Sequence, residues 1–169
     1  MPRSKFLRIA ALAAALAAIF AITACKAKPK AATGAGPAAL NLKTADGSVF
    51  DPASLNGKVV LIEFWATWCP PCKEAIPDIR TLTDKVKGTD MAVITVAVDD
   101  DMASVASFVK ENGIRYVVLH DDGTASEKYG VRGVPTSVVL DKTGKIVETH
   151  MGYMTGYADE MLAELKKYL

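Results

Sequence analysis

Two cysteines separated by two prolines occur in the stretch WATWCPPC, at positions 65–72. The residues leading into it, KVVLIEFWA at 58–66, are almost all apolar and rich in β-branched and aromatic side chains, which predicts a buried strand. After the prolines, apolar residues recur at helical spacing, which predicts an amphipathic helix ending at about residue 87. Cys69 and Cys72 therefore lie where a strand ends and a helix begins.

Strands and helices alternate through the rest of the chain, which predicts an α/β fold with a central mixed β-sheet flanked by helices. The predicted strands cover 91–98, 116–120 and a hairpin formed by 135–141 and 145–152, and an N-terminal β-hairpin turns at Asp46-Gly47. The predicted helices cover 102–112, 123–130 and a closing segment from about residue 155. The acidic run 99–101 is interpreted as the capped start of a helix rather than as a metal site.

The N-terminus carries features of a secretory signal. Three basic residues precede an apolar run at 9–24, which is shorter than the roughly 20 residues that a spanning helix needs. The segment 22–25, ITAC, resembles a bacterial lipobox, so that Cys25 is expected to be lipidated after removal of residues 1–24. A plainly cleaved signal and an uncleaved anchor are the alternatives. Residues 25–39 are expected to be a flexible linker and 40–169 the folded domain.

Charge and motifs exclude some function classes. The chain has 20 Lys and Arg against 19 Asp and Glu, and removal of 1–24 takes away three basic residues and no acidic one, so the remainder has a net charge of 17 − 19 = −2. Such a balance offers no basic field for nucleic acid. The sequence has no glycine-rich phosphate loop, so neither NAD nor flavin is expected and no cofactor is predicted. The protein is also predicted to be a monomer.

The cysteine pair has three possible roles: binding a metal, stapling the fold or exchanging disulfides. A structural zinc needs four ligands, and the only other candidates, His120 and His150, are isolated at strand ends. A disulfide between Cys69 and Cys72 would close a very small loop and so would constrain the unfolded chain little. A cysteine at a helix N-terminus is instead well placed to react as a thiolate, because the backbone N–H groups and the helix dipole favour an anion. Redox chemistry is the best interpretation.

Two segments resemble the thioredoxin superfamily: VVLIEFWATWCPPCKEAIP at 59–77 and YGVRGVPTSVVLDKTGKIV at 129–147. The longer segment between Asp99 and His120, read as a strand–helix insertion, together with the lipobox and LDKTGKIV, is similar to the TlpA/ResA branch of exported, membrane-tethered thiol–disulfide oxidoreductases. The resemblance covers about residues 40–169.

The resemblance implies roles for individual residues. Cys69 is expected to be the exposed attacking thiolate and Cys72 the buried thiol that resolves the mixed disulfide. Trp68 is expected to flank the sulfur and shape the docking surface, with simple packing as the alternative. Pro135 matches the cis-proline of the superfamily, which would leave the backbone of Val134 free to pair with an extended substrate.

The two prolines between the cysteines give a physical hint about direction. Proline has no N–H, so Pro70 and Pro71 remove two donors that a Cys69 thiolate could have used. A less stabilised thiolate favours the disulfide over the dithiol, which makes the pair a better reductant.

Glu63 is the one polar residue in the stretch VVLIEFW at 59–65, and it falls where thioredoxins carry a buried acid. An inward carboxyl would have its pKa raised by desolvation and could accept the proton of Cys72 as a general base; the alternative is that it faces solvent. The TlpA/ResA branch often has Glu three residues after the second cysteine, whereas this chain has Ala75 there and Glu74 one residue earlier. Substrate recognition attributed to that Glu is therefore not carried over, and Glu63 is a candidate for the missing carboxylate.

The expected function is that of a periplasm-facing, lipid-anchored reductant. Its expected substrates are oxidised cysteines of apocytochrome c or other exported proteins, and its electrons are expected to come from a membrane thiol donor. Lys26 after the lipidated cysteine gives a slight preference for the outer over the inner membrane.

Three other functions are weighed against it. One is a disulfide donor using the same residues in the opposite direction. Another is a thiol peroxidase, which needs Thr-x-x-Cys, whereas Trp68 alone separates Thr67 from Cys69. The third is a Sco-like copper chaperone, which favours Cys-x-x-x-Cys and a positioned histidine such as His120 or His150.

Overall fold

The computed structural model describes residues 36–169 of the chain. The predicted signal peptide, the predicted lipidation site Cys25 and the linker up to residue 35 lie outside the described residues. Within 36–169, no helix combines the length and the apolar character needed to cross a membrane.

The described part of the chain alternates strands with helices, as the sequence pattern predicts. Its strands are β1 (Lys43–Thr44), β2 (Val59–Trp65), β3 (Met91–Ala97), β4 (Val118–His120), β5 (Thr136–Leu140) and β6 (Ile146–Met151). Its α-helices are α1 (Pro70–Val86), α2 (Met102–Glu111), α3 (Thr124–Tyr129) and α4 (Tyr157–Lys166). Two short 3-10 turns, Pro37–Leu40 and Pro52–Leu55, precede β2.

The six strands form one mixed sheet in the order β1-β4-β3-β2-β5-β6. Strands β2, β3 and β4 run parallel to one another, and β5 and β6 are added antiparallel on one side. Strand β2 lies inside the sheet, and all seven of its residues are buried, which explains its nearly continuous apolar sequence. Because α1 follows β2 directly, the cysteine pair lies at the carboxyl end of an interior strand.

The two faces of the sheet are covered by different elements. One face packs against α1 and α4 through a cluster that includes Leu61, Leu82 and Leu165. The other face packs against α3 and the two 3-10 turns through a cluster that includes Ile62, Phe64 and Tyr129. Side chains alternate along β2, so Glu63 points to the face that carries α1 and α4.

Two sequence predictions at the start of the domain need correction. The N-terminal β-hairpin is minimal, because its return arm contributes only a single bridge between Lys43 and Val49, while β1 pairs on its other side with β4. The predicted linker also extends too far. Ala39 is buried in the core, and the hydroxyl of Tyr129 donates to the carbonyl of Gly36 at 3.1 Å, so residues 36–39 pack with the domain.

Candidate active site

The cysteine pair forms a disulfide at the N-terminus of α1, with the two Cα atoms 5.3 Å apart. Cys69 is the N-cap of the helix, and Pro70 and Pro71 occupy its first two positions. Because neither proline has an N–H, the first helical donor is the backbone of Cys72, which donates to Sγ of Cys69 at 3.3 Å. The local sequence thus leaves Sγ of Cys69 a single backbone donor.

Both cysteines are buried in the disulfide form: Cys69 is 3% and Cys72 is 2% exposed. The prediction that Cys69 is exposed is therefore wrong for this state. The cap position turns its side chain back over the helix, where it packs in a cluster with Trp65 and Ile76, and Val134 packs against that cluster. A reaction partner must approach through the exposed residues around the pair.

Trp68, immediately before Cys69, is one of those exposed residues, with 65% of its surface accessible. A tryptophan with that exposure is not a core residue, so the packing alternative is excluded for it. Pro70 and Pro71 are also exposed. Together with Trp68, the two prolines form a largely apolar surface around the buried sulfur of Cys69.

The loop before β5 faces the cysteine pair from a distant part of the sequence. The Val134–Pro135 peptide bond is cis, which confirms the prediction for this proline. Val134 packs against the cluster that contains both cysteines. Within residues 36–169, the backbone N–H and carbonyl of Val134 make no hydrogen bond, so both groups remain available to a partner.

Glu63 points into the protein and is 1% exposed, which confirms the inward orientation. It lies between Leu61 and Trp65 on the α1-facing side of the sheet, and Trp65 belongs to the same cluster as Cys72. Burial raises the pKa of the Glu63 carboxyl from 4.5 to about 7, and hydrogen bonds from Tyr157 and Ser137 partly oppose this rise. A carboxyl that is half ionised near neutral pH can both accept and return a proton.

Two hydroxyl partners of Glu63 were missed at the sequence level. Tyr157, at the start of α4, donates to Oε2 of Glu63 at 2.5 Å, and Ser137 of β5 donates to the same oxygen at 2.7 Å. Desolvation and the nearby Glu63 raise the pKa of Tyr157 far above its ordinary range, so it acts as a donor. A signal did exist for Tyr157, because a tyrosine on the buried face of an amphipathic helix needs a partner for its hydroxyl.

The acidic run 99–101 divides into different roles. Asp101 caps α2, as predicted, by accepting from the backbone N–H groups of Ala103 and Ser104. Asp99 has another function: it is buried, and its two carboxylate oxygens accept from the backbone N–H of Thr67 at 3.0 and 3.1 Å. It also accepts from the Thr67 hydroxyl. Asp99 therefore anchors the loop that carries the cysteine pair to the end of β3.

The two histidines lie on different strands of the sheet, β4 and β6. Nε2 of His120 contacts the carbonyl of Asp99 at 2.7 Å, and His150 lies on the edge strand β6. Within residues 36–169, no three His, Cys, Asp or Glu side chains come together in a way that could hold a metal ion. The site is thus built from a disulfide, a buried carboxyl and an apolar exposed surface, which are the parts needed for thiol–disulfide exchange coupled to proton transfer.

Comparisons with known proteins give the same chemistry. The Redoxin family profile matches residues 26–169. The thiol-disulfide oxidoreductase ResA of Halalkalibacterium halodurans is 32% identical over 136 residues, which are 79% of this chain and 77% of the relative.

Two solved structures are similar to this chain. The pneumococcal exposed lipoprotein thioredoxin of Streptococcus pneumoniae is 35% identical, covers 75% of this chain and 96% of its own, and has a TM-score of 0.66. StoA of Bacillus subtilis is 28% identical, covers 74% of this chain and 93% of its own, and has a TM-score of 0.63. With the family match extending over most of the sequence, the chain belongs to the Redoxin family and is a thioredoxin-like thiol–disulfide oxidoreductase of the TlpA/ResA type.

Proposed function

We propose that this oxidoreductase is an exported, lipid-anchored reductant of protein disulfides. The direction of electron transfer is inferred from one observation: Sγ of Cys69 has a single backbone donor, the N–H of Cys72 at 3.3 Å. Hydrogen bonds to a thiolate stabilise the dithiol form and make the disulfide more oxidising. With Pro70 and Pro71 removing the other two donors of the first turn, the balance moves toward the disulfide, so the reduced protein gives its electrons away.

In the proposed reaction, the Cys69 thiolate attacks a disulfide sulfur of the substrate and releases one substrate thiolate, forming a mixed disulfide. Cys72 then loses its proton to the Glu63 carboxylate and attacks Sγ of Cys69. This second step forms the Cys69–Cys72 disulfide and releases the other substrate thiolate with its electron pair. The two substrate thiolates take protons from water, and the protein is left oxidised with a proton on Glu63.

The substrate segment is proposed to bind in an extended conformation beside the cis-proline. The unpaired backbone of Val134 supplies one donor and one acceptor for such a segment, in the manner of strand addition. The exposed ring of Trp68 covers the other side of the segment. Selection of a disulfide then depends on whether its backbone can extend, which favours unfolded or loosely folded exported proteins, such as apocytochrome c.

The location is proposed from the N-terminal sequence. Cys25 follows a segment like a lipobox, and the similar pneumococcal protein is itself named an exposed lipoprotein. A lipid on Cys25 would hold the domain at a membrane surface, facing the periplasm, with residues 26–35 as the tether. In that place a membrane thiol donor is the proposed source of electrons, because the domain needs no soluble cofactor for disulfide exchange.

Trapping in cells tests this proposal. A full-length Cys72→Ser variant cannot resolve the mixed disulfide, so it should accumulate bound to exported proteins through Cys69, whereas Cys69→Ser should capture none. In cells that lack the protein, the captured substrates should accumulate with their cysteines oxidised. Substrates that accumulate reduced would instead identify a disulfide donor, and capture of cytoplasmic proteins alone would contradict the export proposal.

A further inference from the structure

Three side-chain oxygens meet in a closed triangle beneath the active site. Oε2 of Glu63 lies 2.5 Å from the Tyr157 hydroxyl and 2.7 Å from the Ser137 hydroxyl, and the two hydroxyl oxygens lie 2.6 Å apart. All three residues are at most 2% exposed. Each distance lies in the range of an O–H···O hydrogen bond, so each contact needs a hydrogen to be favourable.

Counting hydrogens distinguishes the two protonation states of Glu63. When Glu63 is ionised, the two hydroxyl hydrogens both point to its Oε2, and no hydrogen remains for the contact between Ser137 and Tyr157. When Glu63 is protonated, a third hydrogen is present. Glu63 can then donate to Ser137, Ser137 to Tyr157 and Tyr157 back to Glu63, because hydroxyl hydrogens rotate freely. The carboxyl is hydrogen-bonded in either state, and only the directions of the bonds change.

We propose that Ser137 and Tyr157 are positioning residues, which keep Glu63 hydrogen-bonded in both its ionised and its protonated state and so let this buried carboxyl exchange a proton near neutral pH. A carboxyl buried without such partners would remain protonated well into the alkaline range. A hydrogen bond donated to an ionised carboxylate is stronger than one donated to a neutral carboxyl. The two hydroxyls therefore stabilise the ionised form more than the protonated form. They lower the pKa of Glu63 from the higher value that burial alone would give, toward neutral pH.

Ion pairing does not account for the ionisation of Glu63. Within residues 36–169, no lysine or arginine forms an ion pair with it. The polar and titratable groups that face it or its partners come from each packed element: Thr95 of β3, Asp78 of α1, Tyr116 before β4, His150 opposite Ser137 on β6, and Tyr153 beside Tyr157. Thr95 is already used, because its hydroxyl donates to the carbonyl of Val117.

This inference rests on the proposed role of Glu63 as the proton acceptor of Cys72. On the return half of the cycle, the thiolate of a reduced donor attacks Sγ of Cys69, and the electron pair of the broken S–S bond passes to Cys72. The Cys72 sulfur then takes the proton from Glu63, whose carboxylate again accepts both hydroxyls. The triangle thus holds the proton while the protein is oxidised.

Carbon-13 NMR of glutamate side chains in the oxidised full-length protein tests the inference directly. The Glu63 carboxyl signal, assigned by its loss in Glu63→Gln, should titrate with a midpoint of about 7. Tyr157→Phe and Ser137→Ala should each raise this midpoint by about one pH unit, because each loses a donor to the charged form. Tyr168→Phe, just beyond the C-terminal end of α4 and with its hydroxyl donating to Glu148, is the matched control and should leave the midpoint unchanged.

A midpoint that is unchanged or lowered in both variants would overturn the inference, and so would a wild-type Glu63 that stays ionised down to pH 5. Stopped-flow oxidation of the reduced protein by a peptide disulfide separates this result from the proposed function. If the pH dependence of this rate shifts to higher pH in Tyr157→Phe and Ser137→Ala together with the NMR midpoint, the positioning role and the proposed function are both supported. If the NMR midpoint moves and the rate profile does not, the positioning role stands and Glu63 is not the acceptor of Cys72.

Discussion

Replacement of the buried Glu63 by glutamine should change how the stability of the oxidised protein depends on pH. The folded state holds the pKa of Glu63 at about 7, whereas its ordinary value is 4.5. The folded protein therefore binds this proton more tightly than the unfolded chain does. The resulting stability is fully present below pH 4.5 and is lost as the pH rises to 7 and beyond.

The magnitude follows from these two values. Relative to acidic pH, ionisation of Glu63 lowers the free energy of unfolding by about 1 kcal/mol at pH 5 and by about 3 kcal/mol at pH 8. Glutamine cannot ionise, so the free energy of unfolding of Glu63→Gln relative to wild type should rise by about 2 kcal/mol between pH 5 and pH 8. Any constant effect of the new amide on the Ser137 and Tyr157 hydroxyls cancels in this comparison.

Guanidinium unfolding of the disulfide-bonded protein, measured at pH 5, 6, 7 and 8, provides the assay. Glu74, exposed on α1 near the site, offers a matched substitution: Glu74→Gln should follow the wild-type curve. If Glu63→Gln also runs parallel to wild type across this range, Glu63 does not change its ionisation between the folded and unfolded states, and the reasoning about its burial is refuted.

Three further substitutions test other parts of the site. Pro71→Ala restores a backbone N–H at the second position of α1 and should make the reduction potential more positive by on the order of 30 mV. Equilibration with glutathione measures this shift, and a more negative potential would refute the role of the prolines. Asp99→Ala leaves the N–H of Thr67 without its acceptor and should lower the free energy of unfolding by about 2 kcal/mol. The control, Asp100→Ala, replaces an exposed residue and should change the free energy of unfolding by less than about 0.5 kcal/mol. Equal effects of the two substitutions would contradict the anchoring role of Asp99. Trp68→Ala should raise KM for a peptide disulfide by about tenfold without moving the potential, and an unchanged KM would remove Trp68 from the docking surface.

Much of the site was predictable because its signals are local in the sequence. The strand before the cysteines and the helix after them follow from apolar periodicity, and the position of Cys69 as N-cap follows from the prolines. The inward orientation of Glu63 follows from the absence of any other polar residue in its strand.

The parts that could not be predicted depend on tertiary packing. Ser137 is a small polar residue in an apolar strand, and only the register of β2 with β5 places it opposite Glu63. The meeting of Tyr157 with Glu63 depends on how α4 packs on the sheet, 94 positions away in the sequence. Burial of the Cys69 side chain also depends on a distant segment, because Val134 packs against its cluster.

The reduction potential of the Cys69–Cys72 pair tests the central claim most directly. Equilibration of the protein with dithiothreitol or glutathione buffers, followed by separation of the dithiol and disulfide forms, gives this value. A sulfur with a single backbone donor predicts a reductant, with a potential near that of thioredoxin at about −270 mV. A potential near about −120 mV, as in a strong disulfide donor, would contradict the account.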